Sequence, residues 1–268
     1  MEATLLMKET ALLKFLQQLP KPALAFSGGV DSALLLAACK IAKVPVKAIT
    51  AVTPLVPAFE REDALRIAKE WNAEQSLLNL NPLTLPEFCA NESKRCYHCK
   101  KLLFAAILTE AKRLGCSCLL DGANLDDTGD YRPGMQATKE LHVISPLLEC
   151  GFTKADVRAL AKRYKLSVAG KPAYACLASR IAYGEVITLE KLASVEQAEE
   201  KLKSLGLTDV RVRCHNNIAR IEVAPQQIEL AATKLKDEIV SSVKAAGFSY
   251  ATLDLEGFRS GSMNVNVK

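Results

Sequence analysis

No run of about 18 uncharged apolar residues occurs in this 268-residue sequence, so no segment is able to cross a bilayer as a helix. The residues from Met1 to Glu9 lack a basic segment followed by an apolar core and a small-residue cleavage site; no secretory signal is read there, no membrane partner is expected, and a cytoplasmic location follows. A basic block is missing too. The 35 Lys and Arg against 30 Asp and Glu leave a net charge of +5, which suits anionic ligands such as nucleotides but does not by itself imply nucleic acid. Nor is there a basic strip interleaved with aromatics, or a zinc-ribbon domain, so a nucleic-acid partner is not expected. Nine cysteines are an odd number, and in a reducing compartment they are not a disulfide framework; a second C-x-x-C that would complete a Cys₄ zinc site is absent.

What is present is organised around Leu24-Ala25-Phe26-Ser27-Gly28-Gly29-Val30-Asp31-Ser32-Ala33-Leu34-Leu35-Leu36, an apolar run that turns through two glycines and continues as an apolar helix. Gly28 and Gly29 can adopt positive φ and let backbone N–H groups close on an anion, while the following helix N-terminus presents its own unpaired N–H groups. Ser27 and Ser32 add hydroxyls. No Lys follows the glycines, so the segment is not the loop that grips β- and γ-phosphates with an ammonium. The alternative is an ordinary tight turn between strand and helix.

In chain order, residues 4 to 19 read as an amphipathic helix, 46 to 52 as a second strand, 59 to 71 as a helix and 76 to 80 as a third strand. Asn81 to Cys99 reads as a loop. Leu102 to Leu114 resumes helical period, Cys118 to Gly122 forms a strand ending in an acidic turn, and the glycine- and acid-rich stretch to Gly134 is irregular, with Asp130 a candidate Mg²⁺ ligand. Thr153 to Asp156 caps a further helix. This alternation argues for an α/β fold, a doubly wound parallel sheet, over the first 165 or so residues. From Thr188 the pattern becomes helix, hairpin around Asn216-Asn217, helix over 228 to 246, and strand at 250 to 255, hence a smaller α+β domain. The expected division is 1–168, a linker and cysteine loop at 169–187, and 188–268.

Cys39, Cys89, Cys116, Cys118, Cys150 and Cys214 sit in or beside apolar runs and read as small hydrophobes. Cys96 and Cys99 differ: their spacing lets two sulfurs reach one metal, and Lys94, Arg95, Lys100 and Lys101 favour thiolates. His98 between them reads as exposed. Ala175-Cys176-Leu177-Ala178-Ser179-Arg180 is a loop with a lone cysteine and an arginine, and Gly257-Phe258-Arg259-Ser260-Gly261 is either a phosphate cradle or a plain turn.

The glycine loop resembles the SGGxDS signature of the PP-loop ATP pyrophosphatases, which implies cleavage of ATP to AMP and pyrophosphate, with Ser27, Gly28, Gly29, Asp31, Ser32, Thr50 and Gly122 as ATP-binding positions. Together with Asp130 to Gly134, Ala175 to Arg180, Asn217 to Glu222 and Gly257 to Gly261, it resembles the LarE family over nearly the whole chain. That resemblance implies an ATP-dependent sulfur transferase converting a pyridinium biscarboxylate mononucleotide to the bisthiocarboxylate that later binds nickel in lactate racemase. It further implies Cys176 as the sulfur-handling residue, a [4Fe-4S] cluster on Cys96, Cys99 and Cys176, Mg²⁺ at the ATP phosphates, Arg180 facing an acyl or phosphate anion, and Arg213 and Arg259 at the substrate's phosphate. A sulfide donor and a homo-oligomer are expected partners. The competing readings are a tRNA thiolase, a zinc- or redox-binding accessory protein, and sacrificial transfer of the Cys176 sulfur without a cluster.

Overall fold

The computed structural model describes residues 2–128, 133–172, 174–259 and 261–263. The chain divides into two compact units, one made of Met1–Pro82 and Cys96–Tyr174, the other of Leu83–Arg95 and Ala175–Lys268.

The first unit is built on four parallel strands, β1 (Pro22–Ala25), β2 (Lys47–Val52), β3 (Glu74–Asn79) and β4 (Cys118–Leu120), in the order β3-β2-β1-β4. Helices α1 (Glu2–Gln17), α2 (Val30–Ile41) and α3 (Ala58–Glu70) precede the short α4 (Pro86–Cys89) of the other unit; α5 (Arg95–Arg113), α6 (Pro133–Glu140), α7 (Pro146–Glu149) and α8 (Lys154–Arg163) follow. Leu34 to Cys39 of α2 are buried all round, as a helix enclosed by sheet and other helices must be. Its core includes Leu12, Leu16, Phe152, Val157 and Leu160. A second cluster joins Phe104, Ile107 and Ala111 of α5 to Ala23, Ile49 and Leu119 of the strands. The sheet is therefore covered on both faces, which is what lets its short strands be apolar on both sides. The doubly wound α/β expectation holds.

Strand order decides where a ligand enters. The chain steps outward from β1 through β2 to β3 and then returns to the far side of β1 as β4. The loops after β1 and β4 thus diverge from neighbouring strand ends and open a crevice at the carboxyl edge.

The second unit carries an antiparallel pair, β5 (Arg211–His215) and β6 (Ile218–Glu222), turning at Asn216 with φ +52°, and β7 (Tyr250–Leu253) parallel to β6. Buried Val212, Cys214, Ala219 and Ile221 give it one apolar face, in a core with α9 (Leu189–Ser204). The single helix expected over 228 to 246 is two, α10 (Ile228–Ala232) and α11 (Lys236–Ala245). The loop expected at Asn81–Cys99 contains α4 and the first turn of α5. Helical period was invisible there because the residues before Leu102 are mostly polar and line no continuous apolar stripe.

Thr153 caps α8 as expected: its hydroxyl accepts from the Asp156 N–H at 3.2 Å, and Asp156 Oδ2 accepts from the Thr153 N–H at 3.0 Å. Burial raises the Asp156 pKa, but hydrogen bonds from Lys8 and Thr153 outweigh it and leave the carboxyl below its ordinary value. A carboxylate so depressed stabilises the fold above its unfolded pKa and ceases to as pH falls through the folded one. Replacing Thr153 by Ala should cost about 1 kcal/mol in urea unfolding. The deficit of Asp156→Asn at pH 6 should shrink as pH drops below about 4; a deficit independent of pH would contradict the assignment.

Candidate functional site

The loop after β1 is built by local backbone chemistry. Gly28 has φ +74°, and a Cβ there would lie 2.6 Å from the Ala64 Cα of α3, so this position needs glycine both for its backbone and for the close approach of the helix. Gly29, extended, is the residue before α2. Its N–H donates to Ser27 Oγ at 3.3 Å, Ser32 Oγ donates to the Gly29 carbonyl at 3.1 Å, and the two serine oxygens are 3.2 Å apart. The first N–H groups of α2 have no partner within the helix and are directed, with its positive dipole end, toward the space in front.

That space is a cavity of about 370 Å³. Its polar lining includes Ser27, Asp31, Ser32 and Asp121; its apolar lining includes Ile49, Ala51 and Val52 of β2 and Leu103, Phe104 and Ile107 of α5. Gly122 belongs where it is because a Cβ would approach Asp31 Cβ to 3.0 Å and Ser32 N to 3.2 Å. Asp31 is clamped, one oxygen accepting from Asn124 Nδ2 at 3.1 Å and the other from Lys154 Nζ at 2.5 Å. Asp121 accepts from Ser145 Oγ at 2.6 Å. Thr50 lines the cavity, but its hydroxyl donates to the Phe26 carbonyl at 2.7 Å and accepts from Gln75 at 2.9 Å, tying β1 to β2. Asp130 lies outside the described residues, as do its neighbours Gly129, Tyr131 and Arg132, and Ser260.

The cysteine pair is on this unit. Cys96 and Cys99 occupy the first turn of α5, one turn before Lys100 and Leu103, which line the cavity. Residues four apart share a helix face, so Cys96 and Cys99 belong to the face of α5 that carries Lys100 and Leu103. The stem of Lys100 lies against Gly134, where an added Cβ would meet its Cδ at 2.6 Å. Glu60, another lining residue, was not singled out in the sequence, and Lys100 was read only as a neighbour of the cysteine pair; neither shows a cavity role until the fold is seen.

In the second unit, Cys176 is exposed and precedes a turn of 3₁₀ helix, Leu177–Arg180. Arg180, expected to face an anion, is completely buried: Nε is 2.9 Å from Glu199 Oε1, and Nη1 donates to the carbonyls of Ala175 at 2.6 Å and Cys176 at 3.2 Å. Its guanidinium fixes the backbone of the cysteine loop. Arg213 pairs with Glu222 at 2.8 Å and donates to the Ser179 carbonyl at 3.3 Å; Arg259 lies 3.3 Å from Asp254 and 2.5 Å from Glu256. Arg213 stands opposite Arg220 in the β5–β6 register. Arg213 Nε, Arg220 Nε and His215 Nε2 are buried with no hydrogen-bond partner among the described residues. Burial, with Arg220 and Arg213 nearby, holds the His215 pKa below its ordinary value. The alternation Arg211, Arg213, His215 was the available signal for this polar face.

None of the nine cysteines is in a disulfide. Burial pushes the Cys39 thiol up to about 12 and Cys214 to about 11, and raises Cys89, Cys116, Cys118 and Cys150 as well. These are the six read as small hydrophobes. The remaining three, Cys96 and Cys176 exposed and Cys99 half-buried, agree in donor chemistry with an iron–sulfur cluster. Among the described residues, no three His, Cys, Asp or Glu side chains are already gathered as a metal site. No helix among them is long and apolar enough to cross a membrane.

No family model matches the chain. Whole-chain relatives do. It is 38% identical over 264 residues to the pyridinium-3,5-bisthiocarboxylic acid mononucleotide synthase of Lactiplantibacillus plantarum, covering 98% of this chain and 95% of that one. An uncharacterized protein of Synechocystis sp. is 42% identical over 255 residues, 94% and 95% of the two chains. One of Methanocaldococcus jannaschii is 30% identical over 237 residues, 88% and 90%.

The thiol environments should be visible in modification rates. At pH 8 under reducing-agent-free, anaerobic conditions, iodoacetamide should label Cys96 and Cys176 at least about tenfold faster than Cys39 and Cys214, read by peptide mass spectrometry. Equal rates in the folded protein would refute the division.

Proposed function

The chain belongs to the LarE family, and from that premise we propose that it is an ATP-dependent sulfur transferase that adenylates the carboxylates of a pyridinium biscarboxylate mononucleotide and converts them to thiocarboxylates, for the nickel-binding nucleotide of lactate racemase. The observation that carries this reading is the position of the C-x-x-C on α5: Cys96 and Cys99 stand one helical turn before Lys100 and Leu103, which line a phosphate-loop cavity.

A carboxylate is a poor electrophile. One of its oxygens attacks the α-phosphorus of ATP, pyrophosphate leaves, and the acyl adenylate so formed has a good leaving group. Ser27, Ser32 and the N–H groups from Gly29 into the first turn of α2 receive the departing pyrophosphate, and the Lys100 ammonium supplies the positive charge that the glycine loop does not carry. Asp31, held by Asn124 and Lys154, keeps the loop's first turn in place. Mg²⁺ would be held by Asp130 and the cavity carboxylates, whose oxygens suit a hard cation, and would neutralise phosphate charge. A sulfur nucleophile then attacks the acyl carbon and AMP departs.

Cys96, Cys99 and Cys176 would hold a [4Fe-4S] cluster, which when bound would leave one iron free to carry an extra sulfide from a sulfide donor and make turnover catalytic. Arg180 is a positioning residue: it orients the Cys176 carbonyl and is neutralised by Glu199. Arg213, whose Nε has no hydrogen-bond partner among the described residues, and Arg259 receive the substrate's phosphate, because guanidinium forks match that geometry. The first unit serves as the ATP domain, the second as the substrate and oligomerisation domain.

Anaerobically purified protein should contain iron and sulfide, and should release AMP and incorporate sulfur repeatedly when given ATP, sulfide and the pyridinium nucleotide. Cys96→Ala or Cys99→Ala should abolish multiple turnover. Sulfur incorporation into tRNA alone would give the tRNA reading in place of this one, and loss of one sulfur from the chain, read as intact mass, would give sacrificial transfer. Lys100→Ala should lower the rate of AMP formation by about 10²-fold with melting unchanged. Arg180→Ala strands the buried Glu199 carboxylate and should cost about 3–5 kcal/mol in urea unfolding; a cost under 1 kcal/mol would show that the pair does not anchor the loop.

A further inference from the structure

Glu60 has a half-used carboxylate. Its Oε2 is 2.8 Å from Lys171 Nζ, which also lies 2.7 Å from Asp63 Oδ2, while Oε1 is buried and has no hydrogen-bond partner among the described residues. An acceptor oxygen left unmade in the interior is costly unless a ligand completes it. Glu60 lines the cavity, so the space in front of it is ligand space. Lys171 holds the carboxylate through its other oxygen, at 2.8 Å. The T-shaped contact of Phe59 with Tyr174, ring centroids 5.0 Å apart, pins the same end of α3 to the segment that carries Lys171.

We infer that Glu60 is the residue that recognises the sugar of the bound nucleotide, its Oε1 accepting a hydrogen bond from a ribose hydroxyl; this rests on the ATP reading above. Position selects the sugar. One helical turn after Glu60 stands Ala64, against which Gly28 of the phosphate loop packs. Glu60 therefore stands beside the loop, in a cavity whose lining also includes the loop's Ser27 and Ser32, Gly122, and the apolar Ile49, Ala51 and Val52. The part of a nucleotide that lies between phosphates and base, and that carries hydroxyl donors, is the ribose. Phosphate oxygens are acceptors and would be repelled from a carboxylate.

Titration calorimetry of the full chain with ATP, 2′-deoxy-ATP and 3′-deoxy-ATP tests this. Wild type should bind ATP at least about tenfold more tightly than one of the deoxy analogues, as for a hydrogen bond to a charged acceptor. Glu60→Ala should bind all three alike, losing affinity for ATP but not for that analogue. Glu60→Gln, which keeps the shape and a neutral acceptor, should retain part of the preference, and is the variant to use if the alanine form melts below the assay temperature. Equal binding of the three nucleotides by wild type, or an undiminished preference in Glu60→Ala or Glu60→Gln, would overturn the inference while leaving the ATP reading intact. A wild type that binds no ATP at all would remove both.

Discussion

The first unit depends on one topological constraint: β4 pairs with β1, not with β3. Had the fourth strand been added outside the third, the loop after β1 would face its neighbours' loops across a closed edge. As it stands, Ser27 to Gly29 and Asp121 to Asn124 follow adjacent strands, and beside them backbone donors, clamped carboxylates and apolar side chains line one cavity. The glycines at positions 28 and 122 follow from this. Each sits where another element, α3 in one case and the start of α2 in the other, approaches so closely that a side chain has no room.

The second unit solves a different problem. Its small sheet has one apolar face and one that carries Arg213, His215, Arg220 and Glu222, more charge than a surface of that area ordinarily buries. The charges are tolerated because they are paired: Glu222 meets Arg213 at 2.8 Å and Ser262 Oγ at 2.6 Å, Arg220 meets Asp254 at 2.6 Å, and Arg180 meets Glu199 at 2.9 Å. Removing one partner would leave the other stranded. Such a layer fixes geometry more than it adds stability.

Much of this was legible in the residues, and the reasons differ by element. The glycine loop announces itself because its chemistry is local: two glycines, two serines and a helix start need only a dozen consecutive letters. The sorting of cysteines was also legible, since neighbours in an apolar run bury a thiol whatever the tertiary context. By contrast, the C-x-x-C read as loop because the first turn of α5 is polar, and helical period can be recognised only where one face is apolar. Arg180 read as an anion contact because nothing near it in sequence discloses Glu199, which lies on another element. The Glu60 and Lys171 pair was invisible for the same reason, both being common surface residues that only the fold brings face to face.

The arrangement of sulfur has a consequence for how such a protein ages. Two thiols, Cys39 and Cys214, are buried and four more are half-buried with burial disfavouring the thiolate, the species that oxidants attack, while Cys96 and Cys176 are exposed. Oxidation would begin at the two exposed positions, 96 and 176, neither of which belongs to the buried core. Exposure to oxygen would silence such a molecule while leaving its melting curve untouched, so a well-folded preparation is no evidence of a competent one.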